Sequence, residues 1–373
     1  MMSEHKPTSD KTPRHPGLPV FWPMDLAFSM LKMGEALIER NVAFALEAQK
    51  LTFNEPRFAS ANTVRLDLPT LRLRDFSAPA ASGVPTIVVA PFAGRSAVIA
   101  DHFPGQSLVE TLLTNGVGRV FVTDWKSADD AMKDFDIDRY LSELLSCVEE
   151  LGGRVNLVGL CQGGWHSTML AARFPDKVNK LVLAGAPIDT QVGDGRIREM
   201  SEALPSSFYE TLVSMGNGPV LGQFILQGWK IMHPELLSMQ KYIDLYTHMH
   251  EPDYVSRMEA FEAWREHPIN LPGRWYLQTV EQLFKANQLA RGEFVALEKQ
   301  LDLHDITCPT YLLAGEEDDV ITPEQVFAAE KLIGTPAEDV VKVVAPGGHI
   351  GLFMGKETLA NQWPAIGQWL AAS

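Results

Sequence analysis

Three short stretches place reactive side chains where apolar runs end. NLVGLCQGGW (156–165) sets Cys161 between Gly159 and the pair Gly163-Gly164, directly after a run of strand composition. A reactive side chain on a tight strand-to-helix turn needs small neighbours, because the turn is strained and crowded. A thiol there would face a helix N-terminus, whose dipole and free N–H groups favour thiolate. The second stretch, LLAGEEDDVITP, ends a strand pattern in Asp318 and Asp319, and the third, VVAPGGHIGLF, ends one in His349. Nucleophile, acid and histidine follow in the chain order that a triad built on such a turn requires. The expected roles are Cys161 as nucleophile, His349 as general base and an aspartate that orients the imidazole. Asp319 is selected over Asp318 because it stands four residues before Pro323.

An acyl oxyanion needs two backbone donors, one just after the nucleophile and one from the loop after an earlier strand. The N–H of Gln162 supplies the first. VVAPFAG supplies the second, from Phe92, since Pro91 has no N–H; Ala93 is the alternative. Cys147 and Cys308 lie on a helix face and at a strand start, where a small apolar side chain is the simpler reading.

These groups require a parallel sheet to hold them. TVRLDLPTLRLRDFS (63–77) alternates as two short edge strands, and TIVVA, RVFVTDW, VNLVGL and KLVLAGAP are continuous apolar runs separated by helical patterns. That is the rhythm of an α/β protein with strands buried on both faces. After Pro187 it breaks until CPTYLLAG (308–315), and VVKVVAPGG with a terminal helix TLANQWPAIGQWLAA closes the sheet. The expected organisation is a disordered tail (1–20), a first core part with an N-terminal amphipathic helix (21–189), a mainly helical cap (190–300) and a second core part (301–373). Cap aromatics Phe224, Trp229, Tyr242, Trp264, Trp275, Tyr276 and Phe284 would shape an acyl channel. Trp165, Trp229, Trp264 and Trp275 are the expected substrate contacts.

A formal net charge of −15 argues against nucleic acid as a partner, since phosphate binding needs a basic face. Three cysteines without a CxxC spacing fit a reducing compartment, here the cytoplasm. No stretch reaches the length of a transmembrane span. His233, His248 and His250 lack the other features of a zinc site, and no dinucleotide fingerprint occurs, so neither metal nor cofactor is expected.

At these residues the chain resembles the superfamily of polyhydroxyalkanoate synthases and intracellular polyhydroxyalkanoate depolymerases, α/β-hydrolases with a cysteine nucleophile. GLCQGG, LHDITCP and APGGHIG are similar to the synthases. APFAG, VFVTDW, GAPID, GQFILQGWKIMHPE, YLQTVEQLFKANQLARGEF, GEEDDVITP and HIGLFMG are nearer the depolymerases. The likeness runs over roughly residues 60 to 373. It implies an α/β-hydrolase fold with a helical cap and action on the esters of poly(3-hydroxyalkanoate), with hydrolysis as the leading reading. Polymerisation of (R)-3-hydroxyacyl-CoA is the alternative, and hydrolysis of small esters or thioesters a second one. CoA as acyl acceptor, a polymer-granule surface and a homodimer are the partners it admits. Synthases carry a histidine directly after the catalytic aspartate, whereas Val320 follows Asp319 here.

Overall fold

The computed structural model describes residues 55–232 and 252–372. The expected N-terminal helix, together with Tyr242, His233, His248 and His250, lies outside them.

Eight strands form one sheet: β1 (Thr63–Asp67), β2 (Leu71–Asp75), β3 (Thr86–Val89), β4 (Val120–Trp125), β5 (Val155–Leu160), β6 (Val178–Ala184), β7 (Thr310–Gly315) and β8 (Val340–Ala345). Their spatial order is β1-β2-β4-β3-β5-β6-β7-β8, with β1 and β2 antiparallel at one edge and the remainder parallel. This is the α/β-hydrolase fold. The order follows from sequence: β1 and β2 alternate and take the edge, whereas β3, β5 and β7 are mostly apolar and buried along their whole length. Each fully buried Leu or Val there, such as Leu157 and Val158, stabilises the fold by about 1.5–3 kcal/mol.

Crossover helices cover the sheet: α1 (Leu108–Thr114), α2 (Ile137–Glu150) and α3 (Gln162–Arg173). Ser107 caps α1 through the N–H of Glu110, and Asp136 caps α2 through that of Arg139. Glu143, buried on α2, accepts from the N–H and hydroxyl of Thr70, which pins the β1–β2 turn to the crossover layer.

Between β6 and β7 the described chain forms α4 (Arg196–Ala203), α5 (Ser206–Met215), α6 (Gly222–Met232), α7 (Pro252–Glu266) and α8 (Gly273–Gln278), the last running into a π-helical stretch, Thr279–Lys285. Residues 268–271 tie this segment to the sheet. Ile269 N–H bonds to Gly94 O in the loop after β3, and Val220 and Leu271 exchange backbone bonds. The end of the segment departs from the helical expectation, because Val295–Ala296 pairs antiparallel with Lys299–Gln300. The terminal helix is two helices, Lys356–Asn361 and Trp363–Ala371. Pro364, which lacks an N–H to bond the preceding turn, starts the second.

Three glycines set how closely β5 and α3 approach. A Cβ on Gly163 would overlap the carbonyl oxygen of Val89, one on Gly159 would meet the backbone of Gly164, and one on Gly164 would meet Ala186. Backbone cannot rotate away as a side chain can. Gly163→Ala is therefore expected to destabilise the protein by about 2 kcal/mol or more, read as a lower urea midpoint. An unchanged midpoint would show that the sheet has slack at the elbow.

Candidate active site

Cys161 joins β5 to α3 with φ 50° and ψ −118°, a region that L residues adopt only when their surroundings enforce it. Its N–H donates to Ala184 O at 2.9 Å and its carbonyl accepts from Gly164 N–H at 2.8 Å. Both backbone groups are thus satisfied in the strained conformation. The side chain, 7% exposed, lines a narrow cleft, and the N–H of Gln162, at the first position of α3, has no partner within the helix.

His349 follows β8 through Gly347, whose φ of 91° lets the chain reverse. Its Nδ1 lies 2.7 Å from Asp318 Oδ2, both side chains buried. A carboxylate only accepts, so Nδ1 carries the proton and Nε2 is left for Cys161. The other oxygen, Asp318 Oδ1, accepts from the N–H groups of Val320 and Ile321 at 3.0 and 2.9 Å. The loops after β7 and β8 are themselves laced together, Glu316 N–H to Ala345 O and Glu317 N–H to Gly347 O.

Burial alone would pull the His349 pKa down. The charge and hydrogen bond of Asp318 on one side, and Cys161 in hydrogen-bonding contact on the other, outweigh it and hold the ring well above its ordinary 6.5. Sulfur, imidazole and carboxylate therefore stand in the sequence a nucleophilic triad needs.

The choice of Asp319 is corrected. Its carboxylate, 45% exposed, pairs with Arg196, and its carbonyl accepts from Arg196 N–H. Counting back from Pro323 misleads because an extra residue fits between the acid and the helix that Pro323 begins. Counting forward from the strand end succeeds, since Asp318 is fixed by its N–H bond to Gly315 O.

The four tryptophans divide. Trp229 and Trp264 line the cleft with Cys161 and His349. Trp165 does not: it donates to Pro187 O and packs edge-on to Phe284 at 4.9 Å. Trp275 does not either. It stacks on His166 (6.0 Å, 8°) and packs against Phe92, whose ring lies on Tyr140 at 4.9 Å. Large rings that fill the layer between sheet and helices are buried for the same reason as leucines. Phe92 thus sends its ring into the core, while its neighbours Pro91 and Ala93 border the cleft. His166, held by Gln162 O through Nδ1 at 3.3 Å, is pushed down to about 4 by burial and is neutral.

The cleft beside the thiol has a volume of about 30 Å³, room for a water-sized group. A larger cavity of about 480 Å³, bordered by Arg291, Gln300, Asp302 and His304, contains no member of the triad. The larger volume thus lies apart from Cys161, Asp318 and His349. Sequence reasoning passed over Arg95, Ile350 and Phe353, all at the cleft. Arg95 gave a signal, a lone cation directly after the expected oxyanion loop VVAPFAG.

Sheet order and elbow together define an α/β-hydrolase. Its solved neighbours include a thermophilic esterase from Thermogutta terrifontis, 18% identical, with a TM-score of 0.50 over 83% of this chain and 98% of that one. Residues 75–357 match the profile of a family described as a protein of unknown function, DUF3141, and the chain belongs to that family, within the superfamily of polyhydroxyalkanoate synthases and α/β-hydrolases. Among its relatives are two proteins named poly(3-hydroxyalkanoate) polymerase subunit PhaC. The one from Haloferax mediterranei is 28% identical over 95% of this chain and 72% of its own length, and that from Allochromatium vinosum 29% over 80% and 83%.

Asp318→Asn is expected to lower the rate of Cys161 acylation by about two to four orders of magnitude, whereas Asp319→Asn changes it by no more than a few-fold. The same Asp318 variant should bring the His349 titration, followed by NMR, down from well above 6.5, because burial then acts with its main opponent removed. Equal losses in the two variants would contradict the assignment.

Proposed function

We propose that the chain transfers 3-hydroxyacyl groups through a thioester on Cys161 and that its principal reaction is polymerisation of (R)-3-hydroxyacyl-CoA. The observation that carries this is a thiol at the elbow of a chain whose relatives, over most of its length, are named as polymerase subunits. Thiol and CoA thioester exchange with little change in bond energy, which suits sulfur at this position better than oxygen. Hydrolysis, the reading that sequence favoured, becomes the second one.

In this mechanism Cys161 gives its proton to His349 and its sulfur attacks the thioester carbonyl. The N–H groups of Gln162 and of the loop after β3, from Phe92 or Ala93, take the oxyanion. CoA leaves as the thiol with the proton from His349. A hydroxyl of a second acyl group, deprotonated by the same ring, then displaces the thiolate and forms the ester. Asp318 keeps the ring in the required tautomer and stabilises its charge. The 30 Å³ cleft is smaller than an acyl group, so its lining must part to admit one. No cofactor enters the scheme, and none of the helices among the described residues is long and apolar enough to cross a membrane.

Polyester hydrolysis gains support from one feature. The residue after the acid is Asp319 rather than the histidine that synthases carry. Water and a chain hydroxyl compete for the same acyl-cysteine, so the two reactions separate by product. The purified protein given (R)-3-hydroxybutyryl-CoA should release CoA and leave insoluble polyester, and Cys161→Ala should do neither. Release of 3-hydroxy acids from amorphous granules, with no polyester formed from the thioester, would replace polymerisation by hydrolysis.

A further inference from the structure

The cleft contains a cation for which the acyl-transfer steps have no use. Arg95, in the loop after β3, borders the same small space as Cys161 and His349. Its guanidinium lies 5.7 Å from the ring centre of Trp229 and 5.2 Å from that of Trp264. Its Nε donates to the backbone carbonyl of Arg265 at 3.2 Å. Trp264 is anchored in turn, its indole N–H donating to Ser96 O at 3.0 Å. Two aromatic faces and one carbonyl therefore fix the guanidinium plane.

These contacts use one of the five N–H donors. Among the described residues, the two terminal amino groups have no protein acceptor, and no carboxylate stands at ion-pair distance. Glu266, which contributes most to Arg95 electrostatically, is engaged by Lys230 at 2.7 Å and by Arg265 at 3.1 Å. Burial draws the Arg95 pKa down to about 10, so the group keeps its charge at neutral pH. A partly desolvated planar fork with free donors matches a planar anion that accepts two parallel hydrogen bonds.

We propose that Arg95 binds the carboxylate of a free hydroxy acid whose hydroxyl exchanges with the acyl group on Cys161. The proposal rests on the acyl-cysteine chemistry above and names its acceptor. In the forward direction the hydroxyl of HO–CHR–CH2–COO⁻ attacks the thioester, its proton passes to His349, the C–S bond breaks and the thiolate takes the proton back. One ester is formed and one thiol regenerated, with no further reactant. The reverse reaction removes the carboxyl-terminal hydroxy acid from an oligoester.

Size favours a carboxylate over the other anion in the system. In a 3-hydroxy acid the carboxylate carbon lies about 4 Å from the hydroxyl oxygen, a span compatible with groups bordering one small cleft. The phosphates of CoA are a whole pantetheine arm from the thioester carbon, too far for a group beside the thiol. Arg95 would therefore distinguish chains with a free carboxyl end from capped ones, and let a hydroxy acid start or end a chain.

Cys161→Ala, which binds without turning over, separates this from a merely structural role. By calorimetry it should bind the linear trimer of (R)-3-hydroxybutyrate as free acid about tenfold or more tighter than its methyl ester, the value of a charge-assisted pair. Adding Arg95→Gln should abolish the preference, and Arg95→Lys should restore part of it. Equal binding of acid and ester by Cys161→Ala overturns the proposal with Arg95 intact. So does an Arg95→Gln variant that weakens both ligands alike, which is what loosening of the Trp229–Trp264 slot would give. A preserved acid preference in a protein that neither acylates nor hydrolyses would instead remove the proposed function and leave the carboxylate site standing.

Discussion

The elbow at Cys161 is the constraint on which the rest of the site depends. Its positive φ is tolerable only because Cys161 N–H and C=O are bonded to Ala184 and Gly164, and because three glycines let α3 descend onto β3, β5 and the turn after β6. Strain at one residue is balanced by packing of many. A free peptide of this sequence would relax, whereas the eight-stranded sheet holds the sulfur out of line with its own strand and beneath the first turn of α3. Gln162, His349 and Arg95 all stand beside that sulfur.

Around the elbow, fixed and adjustable parts are separated by layer. Asp318, doubly bonded by backbone N–H groups and buried, can do little but hold His349. The rings of Phe92, Tyr140, His166 and Trp275 pack on one another in the buried layer, with His166 held by Gln162 O. Trp229 and Trp264, by contrast, come from helices of the inserted segment, and their faces rest on Arg95. Cys161, Asp318 and His349 follow strand ends, whereas the aromatic wall of the cleft comes from the insertion.

Much of this could be read from residue order. Continuous apolar runs gave the parallel strands, alternating ones the antiparallel edge, and the glycines around Cys161 the turn. What failed did so for physical reasons. Asp318 and Asp319 are adjacent and chemically identical, so only burial and the bonds of Val320, Ile321 and Arg196 distinguish them. Trp165 and Trp275 cannot be told from Trp229 and Trp264 without knowing which helix faces reach the cleft. Arg95 is an ordinary surface residue until residues 264 and 229, far along the chain, close over it. Long-range contact is what a local pattern does not encode.

Polymerisation and hydrolysis, as proposed, both pass through an acyl group on Cys161. The most direct measurement is acid quenching of the protein with (R)-3-hydroxybutyryl-CoA, followed by intact mass and peptide mapping. A 3-hydroxybutyryl thioester on the peptide containing Cys161, absent from Cys161→Ala and slow to form in Asp318→Asn, is the result this account predicts. An unmodified Cys161 during turnover, or an acyl group on another residue, would contradict it.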